Sequence, residues 1–153
     1  MKVAIIIERF DISLGGAERS VSELMAALEK MNMEVHLLAA SGHTHTGNVH
    51  LLCEGDRGRT GYDEFTQAVR KHLEQNKYDI VHSTLPMPFA DVYQPRGGTY
   101  AETIIRNAAS YESSVVSWLK AGTSWVNLKR FQMLKAEEAL CRQQKGPVIA
   151  ALS

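Results

Sequence analysis

The sequence predicts an α/β domain with a doubly wound, mostly parallel sheet and helices on both faces. Short apolar runs alternate with amphipathic stretches over the first half of the chain, and this alternation is typical of β-α-β units joined by right-handed crossovers. The runs are apolar at successive positions, as expected of strands buried on both faces of a parallel sheet. A length of 153 residues suits one domain of this Rossmann-like class.

Four elements open the predicted fold. A β-branched-rich run at residues 3–7 predicts the first strand, and a loop over 8–14 leads to a helix over about 17–31. Residues 35–40 predict the second strand, and residues 49–52 predict the third after a loop rich in Gly, Thr and His. The helix is amphipathic because apolar residues recur at i, i+3, i+4 and i+7: Val21, Leu24, Met25 and Leu28.

The second half of the chain completes the alternation and then becomes mostly helical. A second amphipathic helix is predicted over about 62–75, followed by a fourth strand over 78–82 that two prolines terminate. Residues 101–145 favour helix, with a break near a glycine and a last helix over 124–144. Residues 148–152 predict another buried strand. Because a buried strand needs neighbours, we expect the 153 residues to be a truncated piece of a longer chain.

Composition and charge exclude several classes of protein. Seventeen Lys and Arg balance seventeen Asp and Glu, which argues against a protein that coats nucleic acid. Cys53 and Cys141 lie far apart, as in proteins of a reducing compartment. No apolar run approaches the roughly 20 residues that span a bilayer, and residues 3–7 are too short for a secretory signal. We therefore expect a cytoplasmic protein.

Two segments follow predicted strands where ligands bind in an open α/β sheet, beyond the carboxyl ends: residues 12–19 and 82–98. Gly15 and Gly16 permit close approach of the backbone to a ligand, and the helix after them offers N–H groups and a positive dipole end to a phosphate. Their spacing is neither G-x-G-x-x-G nor G-K-[ST], so neither a dinucleotide site nor a P-loop is predicted. A tight turn without a ligand stays open as the alternative.

Histidines are the other candidates for chemistry. His82 ends a buried strand on the ligand side of the sheet, where it is either a functional group or a hydrogen-bonded structural residue. His43, His45 and His50 raise the question of a metal. No carboxylate or cysteine completes a tetrahedral set with them, so no metal site is predicted.

The stretch 100–135 is basic and contains Trp118 and Trp125. Five Lys and Arg stand against two Glu. Basic residues interleaved with Trp and aliphatic residues occur in interfacial membrane patches, but also in core-packing helix pairs with solvated charges. Both interpretations stay open.

Four blocks of the sequence carry a resemblance that spans nearly the whole chain. They are Leu-Gly-Gly-Ala-Glu-Arg at 14–19, Tyr-Asp-Ile-Val-His-Ser at 78–83, Met-Pro-Phe-Ala-Asp-Val-Tyr at 87–93 and Tyr-Ala-Glu at 100–102. In this order they resemble the N-terminal domain of family-four retaining glycosyltransferases, which have the two-domain GT-B fold. The last two blocks are most similar to lipopolysaccharide-core glucosyltransferases.

The resemblance implies an enzyme that transfers a hexose from a nucleotide-sugar donor to a glycan or lipid-linked acceptor with retention of configuration. No cofactor beyond that co-substrate is implied. Gly15 and Gly16 would face the donor diphosphate, Arg19 would support that loop or the phosphates, and His82 would line the cleft floor. Arg96 would stabilise the charge of the departing phosphate. The resemblance places three further residues near the reacting sugar: Gly97, Gly98 and Thr99.

The sequence also departs from the family pattern. Thr84 stands where many members have a second His. Gly97 stands at about the position where the lipopolysaccharide-core branch has an Asp, so the group that activates the acceptor is unassigned. The donor-binding C-terminal domain is absent, and we expect these residues alone to be inactive because half a cleft cannot bring donor and acceptor together. The branch also implies peripheral contact of 100–135 with the inner face of the cytoplasmic membrane.

Two functions of other classes compete with the glycosyltransferase interpretation. One is a non-catalytic α/β module that binds a phosphate-bearing ligand. The other, half of an NAD-type oxidoreductase, is disfavoured because no acidic residue closes the second strand at residues 39–41, where a ribose contact is expected.

Overall fold

The computed structural model describes residues 1–11, 15–42, 47–53, 60–95, 128–143 and 146–150. Within these ranges the strands and helices alternate as the sequence predicts. The elements in chain order are β1 (Lys2–Phe10), α1 (Gly16–Lys30), β2 (Glu34–Gly42), β3 (Val49–Leu51), α2 (Tyr62–Gln75), β4 (Ile80–Ser83), β5 (Val92–Tyr93), α3 (Leu128–Arg142) and β6 (Val148–Ile149).

The described strands form one parallel sheet in the order β3-β2-β1-β4-β5-β6. The chain runs outward from β1 to β3, then crosses back to the other side of β1 to form β4. This reversal is the topological switch point of a doubly wound sheet. The predicted fold class is confirmed.

Each face of the sheet has its own apolar core. On one face, Val21 of α1 packs against Ile5 of β1 and Leu37 of β2. On the other face, Phe65 of α2 and Met133 of α3 pack onto the strands. All five side chains are buried, and burying a side chain of this size stabilises a fold by about 1.5–3 kcal/mol. The same alternation decides which strand residues share a face, which matters for the site below.

β1 and β2 are longer than predicted, and β5 was not predicted at all. β1 and β2 pair from Lys2↔Glu34 to Phe10↔Gly42, so both strands continue through polar residues at either end of their apolar runs. β5 has two residues and follows a proline-containing loop, so it carries too little periodicity to be recognised. Its position is fixed by ladder bonds such as Gln94 N–H to Ser83 O, 2.9 Å.

Two other predictions were wrong in part. β4 begins at Ile80 and not at residue 78. The strand predicted over 148–152 exists as β6, but Val148 and Ile149 are 69% and 46% exposed, so it is not the buried strand that was expected.

Two further observations concern the cysteines and the described helices. Cys53 and Cys141 are free thiols. No helix in the described ranges is long and apolar enough to cross a membrane.

Candidate functional site

The candidate site lies at the carboxyl edge of the sheet, beside the switch point between β1 and β4. The last paired residues of β1 and β4 are Ile6 and Ser83, whereas β1 continues with β2 as far as Phe10. At about 3.3 Å per residue, β1 therefore extends roughly 13 Å beyond its last pair with β4. The sheet thus has a step at its carboxyl edge, and ligands of open α/β sheets bind at such an edge.

Gly15 and Gly16 lie where α1 begins, shortly after the longer strand at the step, β1, has ended. Gly15 is the N-cap residue, and no side chain caps the first turn of the helix. The main-chain N–H groups of that turn are therefore not satisfied by a capping side chain, and they carry the partial positive charge of the helix N-terminus. Such an end binds anions.

Nothing in the fold requires glycine at either position. Gly15 has φ 170° and ψ −177°, an extended conformation open to any residue. Among the described residues, a Cβ on Gly15 would meet only the Glu18 carboxylate at 3.4 Å, and a Cβ on Gly16 would meet nothing within 4 Å. By contrast, Gly42 has φ +153°, and a Cβ there would lie 2.2 Å from the carbonyl oxygen of Phe10. The glycine pair leaves open space at the helix N-terminus, whereas Gly42 is required by the fold.

Arg19 and Glu18 complete the first turn of α1. Arg19 is exposed, and its N–H donates to the Gly15 carbonyl at 3.4 Å. Glu18 is half-buried, with its carboxylate beside Gly15. A carboxylate in the first turn is favourable for the helix dipole. It also means that a bound anion would share this end of the helix with a negative side chain.

His82 lies near the end of β4, the shorter strand at the step, and we call this position the floor of the step. It is half-buried in β4 and pairs with Ile5, so its side chain lies on the face of the sheet that α1 covers. The imidazole Nε2 lies 2.9 Å from Gln94 Oε1. An amide oxygen only accepts hydrogen bonds, so His82 donates from Nε2, and in the neutral ring Nδ1 is then the nitrogen without a proton.

Gln94 is the residue of this site that sequence reasoning missed. It follows β5 directly and lies two residues beyond Val92, which pairs with His82. In an extended chain, residues two apart share a face, so β5 brings the amide of Gln94 to the imidazole. No sequence signal identifies Gln94, because β5 itself is too short to be predicted.

Thr84 stands where many members of the family have a second histidine, and here the residue has a structural role. Its N–H and its hydroxyl both donate to the carbonyl of Ile6, each at 3.0 Å, and the side chain is buried. These bonds hold the chain that follows β4 against β1.

The loop between β4 and β5 is also fixed from the α2 face. The hydroxyl of Tyr62 donates to the Pro86 carbonyl, and burial raises the pKa of Tyr62, so the phenol remains a donor. The hydroxyl of Tyr93 donates to Glu137 of α3 at 2.6 Å. Both ends of the loop that follows His82 are therefore held by buried hydrogen bonds.

The structure thus places Gly15, Gly16, Arg19 and His82 at the carboxyl edge, where the sequence predicted them. The other predicted site residues (Arg96, Gly97, Gly98 and Thr99) lie outside the described residues, as do Trp118 and Trp125. Among the described residues, no group of three His, Cys, Asp or Glu side chains is arranged to hold a metal ion. His43 and His45 are not described, and His50 lies in β3, where it contacts His36 and His72.

The parallel sheet with its switch point and the helices on both faces define a Rossmann-like α/β domain. The family model of Glycosyltransferase Family 4 matches residues 14–99, more than half of the chain and both described parts of the site. The chain therefore belongs to glycosyltransferase family 4.

The chain is similar in structure to WaaG, described as a glycosyltransferase involved in lipopolysaccharide biosynthesis. The TM-score is 0.69 at 18% sequence identity, over 96% of this chain and 37% of that of WaaG. At that identity the similarity establishes the fold, which is that of a GT-B glycosyltransferase domain. The chain thus spans less than half the length of WaaG. No curated protein sequence matches it.

Proposed function

We propose that these residues form the N-terminal, acceptor-side half of an enzyme that transfers a sugar from a nucleotide-sugar donor to a glycan or lipid-linked acceptor with retention of configuration. The observation that carries the proposal is the open space at Gly16, at the N-terminus of α1. A residue that the fold does not require to be glycine, at an anion-binding end of a helix, is best explained by a ligand that approaches the backbone closely.

The donor diphosphate is the group that fits this position. It is anionic, its oxygens accept hydrogen bonds from main-chain N–H groups, and it is also the leaving group of the transfer. Negative charge increases on it as the glycosidic bond breaks, so donors aimed at it stabilise the transition state more than the ground state. In this proposal Gly15 and Gly16 supply the approach, and Arg19 supports the loop or the phosphates. Arg96 neutralises the departing phosphate.

His82 serves the reacting sugar and the acceptor from the floor of the step. In this proposal the imidazole, whose Nε2–H is directed to Gln94, contacts a hydroxyl group of the sugar or of the acceptor. Gln94 fixes the ring and its tautomer, and is therefore a positioning residue in this proposal. Gly97, Gly98 and Thr99, which follow shortly after Gln94, are proposed to contact the sugar.

Transfer needs a second domain to hold the donor across the cleft. The chain covers 37% of WaaG, and a half-cleft does not supply the orientation of two substrates on which the rate depends. We propose that residues 1–153 alone catalyse no transfer, that the complete enzyme works in the cytoplasm, and that 100–135 contacts the inner face of the membrane. Lipopolysaccharide biosynthesis is the proposed setting.

The test compares two glycines that both have open space around them. Gly16→Leu fills the proposed diphosphate site, whereas Gly47→Leu fills space before β3, where a Cβ also meets nothing within 4 Å. Both variants are made in the complete enzyme, and release of nucleoside diphosphate from a panel of UDP-, GDP- and ADP-sugars is measured. We expect Gly16→Leu to lose more than tenfold in kcat/KM and Gly47→Leu to match the wild type, with unchanged thermal unfolding in both. Full activity of Gly16→Leu would remove the loop from the mechanism.

A further inference from the structure

A cluster of histidines lies at the amino edge of the sheet, at the opposite end of β1 from the glycine pair. We call it the amino-edge cluster. Its members come from the start of β1, from β2, from β3, from the last turn of α2 and from the chain before β4. They are Lys2, Glu34, His36, His50, His72 and Tyr78.

The cluster is a continuous chain of contacts. Glu34 Oε1 lies 2.8 Å from His36 Nε2, and His36 Nδ1 lies 2.8 Å from His50 Nε2. The rings of His50 and His72 have centroids 5.0 Å apart. His72 Nε2 lies 2.9 Å from the Tyr78 hydroxyl. Three imidazoles from β2, β3 and α2 therefore meet on one face of the sheet.

The number of protons that this chain of contacts can hold is limited. The Glu34 carboxylate only accepts, so His36 donates from Nε2, and Nδ1 of a neutral His36 accepts a hydrogen bond from the Nε2–H of His50. One added proton leaves that bond in place, because either His50 donates as before or His36 donates to a His50 whose proton is on Nδ1. A second proton on His50 places two N–H groups against each other across 2.8 Å. The contact between β2 and β3 is therefore compatible with one imidazolium but not with two.

The surrounding charges add to this limit. Burial, and then the charges of His36 and Lys2, lower the pKa of His50. Burial also lowers the pKa of His72, followed by His50, His36 and Lys2. Lys2 lies above the Tyr78 ring, its Nζ 5.1 Å from the centroid. Burial raises the pKa of Tyr78, so that group remains neutral in the acidic range.

Two carboxylates oppose the positive charge. The hydrogen bond from His36, and then that from Lys2, lowers the pKa of Glu34, so this carboxylate stays ionised in mild acid. Asp79 accepts a hydrogen bond from the Lys2 backbone N–H at 2.6 Å. At full protonation, three imidazolium groups and Lys2 would face these two carboxylates, which leaves an excess of positive charge.

Among the described strands, β3 is the one that depends most on this cluster. It is a three-residue edge strand, and the bonds at its ends are Leu37 N–H to Asn48 O and Leu52 N–H to Ala39 O, both 2.8 Å. His50 is its central residue, and its imidazole joins the strand to β2 and to α2. A short edge strand held by few backbone bonds is the kind of element that opens locally.

We propose that the amino-edge cluster is an acid-sensitive fastening that holds β3 and the last turn of α2 on the sheet. At neutral pH the imidazoles share hydrogen bonds and the elements stay closed. In mild acid the open form takes up protons that the closed form cannot accommodate, and β3 and the end of α2 separate from the sheet. This device is independent of the proposed transferase function, because it involves none of the residues of the carboxyl edge.

The sign of the effect follows from the two lowered histidine pKa values. A histidine of ordinary pKa, about 6.5, in the opened state binds more protons than its closed form below that pH. The closed form thus has its full advantage above about pH 6.5 and loses it as the pH falls. At pH 5.5 each such histidine favours opening by up to about tenfold.

Hydrogen exchange measured by mass spectrometry on the complete protein tests the proposal, at pH 7.5 and 5.5 and at constant ionic strength. After correction for the intrinsic exchange rate, peptides covering 47–53 and 70–78 should exchange up to about tenfold faster per histidine at pH 5.5. Peptides of β1 should change little. The double variant His50→Phe/His72→Phe keeps ring-shaped side chains without the titration and should abolish the acid response.

Tyr78→Phe is the matched control, since it removes the bond to His72 and keeps all three imidazoles. It should lower protection at both pH values and preserve their ratio. If the double variant does not fold, His72→Gln alone should reduce the response, because it keeps a neutral hydrogen-bonding group beside Tyr78. The proposal would be overturned if the wild type showed no acid response. It would also be overturned if the variants that lack His50 and His72, or His72 alone, showed an acid response of wild-type size.

Discussion

The two edges of the sheet satisfy their polar groups in opposite ways. At the amino edge, long polar side chains from five parts of the chain contact one another, as in the chain from Glu34 through His36 to His50. At the carboxyl edge, Gly15 and Gly16 provide no side chain, and the first turn of α1 has no side-chain cap. Within the described residues, side chains bond to side chains at one edge, whereas no side chain caps the main-chain N–H groups of α1 at the other.

This difference distinguishes a structural cluster from a binding site more reliably than residue type does. Histidines occur at both edges, yet His36, His50 and His72 join elements of the sheet, whereas the Nε2–H of His82 is directed to the Gln94 amide at the carboxyl edge. Glycines likewise have two uses, since Gly42 is required by its backbone and Gly16 is not. The surroundings of a residue therefore decide its role.

The largest effect that would test this comparison is expected at Gly42. Gly42→Ala should lower the free energy of unfolding by about 2–3 kcal/mol, because the residue has φ +153° and the new Cβ would meet the Phe10 carbonyl at 2.2 Å. Urea denaturation of the complete protein measures it, with Gly47→Ala as the matched glycine outside this contact. An effect as small as that of Gly47→Ala would mean that the end of β2 relaxes freely.

A smaller effect is expected at Thr84. Thr84→Val keeps the shape of the side chain and removes the hydroxyl bond to the Ile6 carbonyl, while the main-chain bond to the same oxygen remains. The expected loss is about 1 kcal/mol in the free energy of unfolding. Thr66→Val in α2, whose hydroxyl bonds within its own helix, is the control. Equal losses in the two variants would show that the bond between β4 and β1 has no special weight.

Gln94 is expected to matter for the state of His82 more than for stability. In the wild type, ¹⁵N chemical shifts of His82 should show the neutral ring protonated at Nε2, because Gln94 accepts that proton at 2.9 Å. Gln94→Leu should mix the two tautomers and cost about 1 kcal/mol or less. Gln67→Leu, on the exposed side of α2, should leave the His82 spectrum unchanged. A single Nε2–H tautomer in Gln94→Leu would show that another group orients the ring.

The sequence predicts the parts of this molecule that depend on periodicity. β1 and β2 were recognised because burial on both faces makes their runs continuously apolar, and α1 and α2 because burial on one face imposes apolar residues at helical spacing, as at Val21 and Phe65. β5 was missed because two residues have no period, and with it Gln94 was missed as well. The amino-edge cluster was also missed, since His36, His50 and His72 are brought together only by the pairing of β2 with β3 and the packing of α2.

The glycine pair was located correctly from the sequence, but its meaning needed the structure. A Gly-Gly turn between a strand and a helix is equally consistent with a backbone that requires glycine. The extended φ of Gly15 and the space around Gly16 show that, among the described residues, the backbone does not require glycine there; a ligand at this position remains a prediction. The step beside them was not predictable either, because it depends on where the pairing of β1 with β4 stops.

The smallest expected effect is also the most specific for the carboxyl edge. Gly16→Ala should leave the free energy of unfolding unchanged or raise it by up to about 1 kcal/mol, because the methyl group meets nothing within 4 Å and the residue lies in a helix. The same methyl group would stand where the diphosphate is proposed to approach the backbone. A protein as stable as the wild type whose KM for the nucleotide-sugar rises severalfold would separate binding from folding at this position. A destabilised Gly16→Ala would instead mean that the glycine serves the fold, as Gly42 does, and the two edges would no longer differ in the way argued above.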